Sequence, residues 1–461
     1  MDRYQVEAVL RRAKKIFFVG IGGISMSSLA FVCREQGYEV SGSDRAVSAM
    51  TEKLRAAGIP VAYEHRAENI EGADAVVYTG AVTLENPELA AATEKEIPLI
   101  YRADLLGYLM CEYTHRIGVA GMHGKSTATS MLSHLFIDAG RKPTVLSGAE
   151  TEEMGGAYLL GEKNYFIFEA CEYKDSFLSF HPSISVILNI DLDHTDYFTG
   201  GIPQIVDSFT RYAHLPFDGT SALPVTIINA DDEHTADIVK NLPHAVTFGI
   251  HRSADYQAKN ISLAGGRASF DIVEGDQLLT HISLRVFGEH NIYNALATAA
   301  VGDLLGLSAE EIASGLCSFT GLRRRFEYKG DVNGASVYID YAHHPREITA
   351  TLAGAKAGTK GRLLAFFEPH TYSRTASLLK EFSAAFTDAD AIYFLDIYAA
   401  REENVYGVSS EMLAKLTPRG AYADSYEKAC DIIRAHAKEG DIIMILGAGT
   451  VAKIADMLFP T

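Results

Sequence analysis

Short apolar runs recur along the chain. Each is followed by a glycine-rich turn or by a stretch with apolar residues at helical spacing. Residues 15–20 (KIFFVG) read as a buried strand, 25–36 as a helix and 39–43 as a second strand. Residues 75–78 and 98–101 read as later strands, with a helix over 86–95 between them. This strand–helix–strand alternation predicts a parallel sheet with helices on its faces. A second block opens with a strand at 116–120 and a helix over 125–139, then apolar strands at 165–168, 184–190 and 225–229. Over 256–286 the period becomes two, with the turns AGGR and EGDQ, which predicts antiparallel hairpins. Helices over 291–305 and 309–316 close that block. Strands at 336–341, 363–367, 391–395 and 441–446 then alternate with helical stretches. The reading is an α/β chain of three domains, 1–114, 115–322 and 323–461.

Length agrees, since 461 residues at ~150 per domain suggest three. With 48% hydrophobic and 22% charged residues, composition argues against disorder. No apolar run approaches the ~18 residues of a membrane-crossing helix. The start, MDRYQVEAVLRRAKK, has no apolar core of a secretory signal. A net charge of −18 excludes a general binder of nucleic acid or anionic membrane, yet backbone amides can still hold anions locally. Cysteines at 33, 111, 171, 317 and 430 form neither a disulfide framework nor a zinc spacing, and they suit a reducing cytoplasm.

The sharpest motif is GVAGMHGKST at 118–127, between a predicted strand and a predicted helix. It has the context of a phosphate-binding loop, although Val119 stands where the strict pattern has its first glycine. Backbone amides of Gly121, Met122, His123 and Gly124 would wrap phosphate oxygens. Lys125 would reach the β/γ-phosphates, and Ser126, followed by Thr127, would ligate Mg²⁺. A second glycine loop, Gly20 to Met26, contains Gly22, Gly23, Ile24 and Ser25, with Asp44 ending the next strand where a ribose partner would sit. Its spacing allows a nicotinamide cofactor, another diphosphate such as a UDP-sugar, or no ligand.

Glu172 follows the apolar run FIFEA, and His194 follows SVILNI. In a parallel sheet both would reach the edge where the phosphate loop begins, and they are candidate ligands of Mg²⁺ or a softer ion such as Mn²⁺. Asp191, Asp193 and Asp196 would orient or hydrate that site. In the last block Arg323, Arg324 and Arg325 could clamp a phosphoryl group or could be a solvated linker run. The segments DYAHHP (340–345) and EPHTYSR (368–374) bring Tyr, His and Arg to one sheet edge. An arginine there could hold a carboxylate, and a neutral histidine could take a proton from an amine.

Taken in order, VGIGGISMSSLA, IYRADLLGYLM, GVAGMHGKST, FEACEYKDSF, NIDLDHTDYF, FGEHNIYNA, GLRRRFE, DYAHHP, PHTYSRT, DIYAAREE and ILGAGT resemble the Mur ligase family. The resemblance implies Rossmann-like first and last domains around a central ATPase domain. It implies ATP, Mg²⁺, and a ligase that joins L-alanine to the carboxylate of UDP-N-acetylmuramate through an acyl phosphate. A relative that attaches a recycled murein peptide to the same sugar is the alternative, and a nicotinamide-dependent dehydrogenase is the alternative outside the family. The implied partners are small molecules, with no nucleic acid, no membrane insertion, and a monomer or weak homodimer. By position, Lys125, Glu172, His194, Arg325 and His343 match catalytic residues. Ser126, Glu172 and His194 match metal ligands, and His290, Asn291, Asn294, Arg324, Arg325 and Asp340 match the ATP site. Tyr341, His343, His370 and Arg374 match the amino-acid pocket, and Gly22, Gly23, Ile24, Ser25 and Asp44 the UDP-sugar site. Thr371 stands where many members carry Arg, which leaves Arg374 as the carboxylate grip, and Lys174 stands at an often acidic position.

Overall fold

A computed structural model describes residues 1–460 except 84, 152–155, 195–196, 265–266 and 401. Asp196 and the two glycines of the AGGR turn therefore lie outside the described residues. The chain forms two compact units, residues 1–254 and 255–461.

The first unit holds two parallel-dominated sheets. Strands β1 (Lys15–Val19), β2 (Glu39–Ser43), β3 (Val61–Ala62), β4 (Ala75–Tyr78) and β5 (Leu99–Tyr101) pair in the order β3-β2-β1-β4-β5, all parallel. From β1 the chain goes first to β2 on one side and later to β4 on the other. The loop after β1 therefore opens at a switch point, where such sheets bind ligands. The second sheet uses β6 (His115–Ala120), β7 (Thr144–Thr151), β8 (Gly156–Leu159), β9 (Tyr165–Glu169), β10 (Ile184–Ile187), β11 (Val225–Asn229) and β12 (Ala245–Gly249). Their order within this unit is β12-β11-β10-β6-β9-β7-β8, parallel except for the β7–β8 hairpin. Here β6 lies between β9 and β10, so the ends of β6, β9 and β10 share one edge. The strand expected over 184–190 stops at Ile187, and the rest turns into the loop that reaches this edge.

In the second unit β13 (Tyr256–Ala264), β14 (Arg267–Glu274) and β15 (Gln277–Phe287) form the expected antiparallel meander. The last sheet has β16 (Glu327–Val332), β17 (Ala335–Asp340), β18 (Leu363–Phe367), β19 (Ala391–Phe394), β20 (Gly420–Tyr422) and β21 (Ile442–Leu446) in the order β16-β17-β21-β18-β19-β20. Only β16 is antiparallel to its neighbour. The central strands are apolar throughout because helices cover both faces; β18 and β21 are buried at every position. All five cysteines are free thiols.

Candidate functional site

The phosphate loop leaves β6 and enters the helix Lys125–Asp138. Gly124 caps that helix at φ +83°, a conformation costly for a side-chain-bearing residue, so the amides of the first turn stay directed outward. Asn189, just beyond β10, holds the loop from outside. Its Oδ1 accepts from the His123 amide at 2.8 Å and its Nδ2 donates to the His123 carbonyl at 2.9 Å. His123 Nε2 also lies 3.3 Å from Asp191 Oδ2.

Lys125 folds back over its own loop, donating to the Gly121 carbonyl at 2.6 Å, and meets Glu172. Burial alone would push the Lys125 ammonium down, but Glu172, Cys171 and Glu169 outweigh it and hold it above its ordinary range. Burial likewise works to raise Glu172, and Lys125 with His194 outweighs that and keeps the carboxyl below its usual value. His194 Nε2 lies 3.2 Å from Glu172 Oε1, and the His194 ring packs 4.9 Å from Tyr173. Ser126 Oγ donates to Glu169 Oε2 at 2.8 Å, which leaves its lone pairs free. The structure thus brings Lys125, Ser126, Glu172 and His194 to one place.

Two residues after Glu172 the backbone kinks. Lys174 and Asp175 both adopt left-handed conformations, which cost of order 1–3 kcal/mol each where the surroundings do not hold them. They are held here because Asp175 accepts from Tyr197 Oη at 2.8 Å and from Ser208 Oγ.

At the first sheet Gly22, Gly23, Ile24 and Ser25 open the helix Ile24–Glu35, and the Gly22 amide donates to Asp44 Oδ2 at 2.9 Å. Arg102, which sequence reasoning passed over, donates from Nη1 to Ser25 Oγ at 2.8 Å and places a cation beside this loop.

In the second unit Asn291 and Asn294 are buried on the helix His290–Leu304, where His290 is exposed. Asn294 Nδ2 donates to Asn291 Oδ1 at 2.9 Å, and Asn291 Nδ2 to the Phe287 carbonyl at 2.7 Å. Phe287 stacks on Phe326 at 4.4 Å, which joins this segment to the arginine run. The guanidiniums of Arg324 and Arg325 each lie 5.1 Å from the Tyr341 ring. Arg324 donates from Nη2 to the carbonyls of Gly447 at 2.7 Å and Gly449 at 3.0 Å. Asp340 is buried and accepts from the amides of Phe326 and Ala342, each at 2.7 Å. Burial raises its carboxyl against the pull of Arg325 and those amides.

The DYAHHP and PHTYSRT segments meet after β17 and β18. The His343 ring lies 5.4 Å from Tyr341 and 5.9 Å from His370, and Arg374 Nη1 lies 3.4 Å from His370 Nδ1. Burial, helped by His343 and Arg374, pushes the His370 imidazole down to about 4, so it is neutral at physiological pH. Thr371 caps the short helix Tyr372–Ser377 and accepts from the Arg374 amide. Glu402 accepts from the Ser373 amide and hydroxyl at 2.8 and 2.5 Å, and was not foreseen.

Residues 15–114 match the Mur ligase family catalytic domain, 119–302 the Mur ligase middle domain, and 324–449 the Mur ligase glutamate ligase domain. The chain is 44% identical over 455 residues to a UDP-N-acetylmuramate–L-alanine ligase of Clostridium tetani, covering 97% of this chain and 98% of the relative. It is equally 44% identical over 458 residues to the enzyme of that name from Caldanaerobacter subterraneus, covering 98% of each. Among solved structures, the UDP-N-acetylmuramate–alanine ligase of Thermotoga maritima superposes with a TM-score of 0.80 at 26% identity, covering 96% of this chain and 97% of that one. A murein peptide ligase of Psychrobacter arcticus superposes at 0.68 and 24% identity, covering 96% and 98%.

Proposed function

The chain belongs to the Mur ligase family, and from that premise we propose that it is an ATP-dependent ligase forming the amide bond between L-alanine and the carboxylate of UDP-N-acetylmuramate, in peptidoglycan precursor synthesis. The observation that carries the reading is near-full-length similarity to alanine ligases, over a phosphate loop whose lysine sits on a buried glutamate. A murein-peptide ligase is a weaker second reading, because a solved ligase of that kind superposes at 0.68 against 0.80 for the alanine ligase. A dehydrogenase reading leaves the phosphate loop without a role.

The family-domain bounds support an assignment of 1–114 to the UDP-sugar, 115–322 to ATP and 323–461 to the amino acid. We place the reaction in the cytoplasm, where ATP and nucleotide sugars are made, and expect a monomer or weak homodimer. No helix of the described residues is long and apolar enough to cross a membrane.

A muramyl carboxylate oxygen attacks the γ-phosphorus of ATP and ADP leaves. The alanine amine then attacks the acyl carbon, loses a proton, and phosphate leaves. Lys125 supplies positive charge to the transferring phosphoryl group. The residues also fit Mg²⁺. Glu172 Oε2 is buried and, though 3.0 Å from the ammonium, accepts no well-directed hydrogen bond. With Ser126 and His194 it would hold the ion, which when bound neutralises phosphate oxygens; Mn²⁺ suits the same donors. Arg374 suits the alanine carboxylate, and His343 or the neutral His370 suits the proton leaving the amine.

Purified protein given ATP, Mg²⁺, UDP-N-acetylmuramate and single amines tests this. Phosphate release with a product mass gain for alanine supports the reading. Turnover with a murein tripeptide and not with alanine overturns it.

A further inference from the structure

The phosphate site of the first unit is crowded with acid. Glu169, Glu172, Asp191 and Asp193 gather there, and its lysine is already paired with Glu172. A substrate entering with a carboxylate needs a cation that is not already neutralised. Lys174 is exposed, and among the described residues no carboxylate pairs with it. Its Nζ donates to the Gly80 carbonyl at 3.3 Å and lies 5.4 Å from the Tyr173 ring.

The position of Gly80 gives this contact its meaning. Gly80 follows β4, in the turn whose Thr79 and Val82 methyls would be the nearest atoms to a side chain at Gly20, at the head of the diphosphate loop. Lys174 thus starts two residues from Glu172 and ends beside the loop of the first sheet. Asp175 fixes the kink that aims it there. An acid anchored by a diphosphate at Gly22–Ser25 and phosphorylated at Lys125 must span the two loops, and Lys174 runs from the segment of Glu172 to the Gly80 turn.

We propose that Lys174 is a substrate-binding residue whose ammonium, held at the Gly80 carbonyl, pairs with the carboxylate that is to be phosphorylated. Taking up that carboxylate exchanges a long bond to the neutral Gly80 carbonyl for one to an oppositely charged acceptor. The inference rests on the ligase reading for the identity of the acid.

Calorimetry on wild type, Lys174→Met and Lys174→Arg separates the possibilities, with UDP-N-acetylmuramate compared against UDP-N-acetylglucosamine, which lacks the lactyl carboxylate. In Lys174→Met the affinity for the muramate is expected to fall about ten- to a hundredfold, the weight of one charge-assisted hydrogen bond, while the glucosamine is bound as before. Lys174→Arg is expected to restore most of the loss. Equal loss for both sugars would overturn the proposal, because Lys174 would then act on the diphosphate or on the fold. Unchanged muramate affinity would overturn it too. Binding is read without turnover, so a wild type that binds the muramate through Lys174 but adds no alanine would defeat the ligase reading and leave this one standing.

Discussion

Lys125 Nζ lies 3.0 Å from Glu172 Oε2 and 3.1 Å from Oε1, with Glu172 fully buried. A buried pair is costly to break from one side, because the remaining charge stays desolvated. Lys125→Met is therefore expected to lower stability by about 3 kcal/mol and to abolish ATP turnover. The double variant Lys125→Met/Glu172→Gln is expected to regain much of the stability and none of the activity. Urea unfolding of the three proteins checks this. If the double variant is no more stable than the single one, the pair is not coupled as described.

The first glycine loop makes a steric prediction. A Cβ on Gly22 would lie 2.7 Å from Thr51 Cγ2 and 2.8 Å from Asp44 Oδ2, and the Gly22 amide is bonded to that same oxygen. Gly22→Ala must therefore displace the Asp44 and Thr51 side chains or the loop itself, and either breaks the bond from the Gly22 amide. UDP-sugar affinity is expected to drop at least tenfold, the equivalent of about 1.4 kcal/mol. ATP affinity, a property of another sheet, should hold. Titrating each nucleotide separately decides it, and a parallel loss of ATP binding would count against two independent loops.

Much of this site was legible in the sequence, because each functional loop begins where an apolar run ends, at a glycine or at a carboxylate. The phosphate loop after β6, Glu172 after β9 and His194 after β10 converge because those three strands are neighbours. What stayed hidden are partnerships made at a distance. Asn189 grips His123 across 66 positions, Arg102 meets Ser25 across 77, and Lys174 reaches Gly80 across 94. No local periodicity encodes them, although Asn189 and Arg102 lie inside the NIDLDHTDYF and IYRADLLGYLM segments. Arg324 is a further such partnership, its Nη2 holding two carbonyls of the GAGT turn across 123 and 125 positions.

Asn189 offers a test of how firmly the phosphate loop must be held. Asn189→Asp keeps the acceptor for the His123 amide but sets a carboxylate against the His123 carbonyl, where an amide nitrogen now donates at 2.9 Å. The loss of that bond and the new repulsion should cost about 1–3 kcal/mol of stability. The KM for ATP should rise while the KM for the UDP-sugar stays. Steady-state kinetics with each substrate varied in turn reports the split, and equal changes in both constants would point to general unfolding instead.

His370 sets a pH dependence whose sign can be worked out. Its imidazole is held down to about 4 against an ordinary 6.5, by burial first and then by His343 and Arg374, with Glu402 pulling the other way. Between those two values the unfolded chain binds a proton that the folded protein refuses. Stability from this group therefore rises with pH across the window, is complete above about 6.5, and is lost as pH falls towards 4. His370→Asn removes the titration. The variant's unfolding midpoint is expected to change less than that of the wild type between pH 4 and 6.5, whatever fixed offset the substitution brings, and the two curves should run parallel above pH 7. Thermal melts across that range settle the matter. Identical slopes for both proteins would mean that His370 already titrates as an ordinary histidine, and would remove it as the neutral group offered to the departing amine proton.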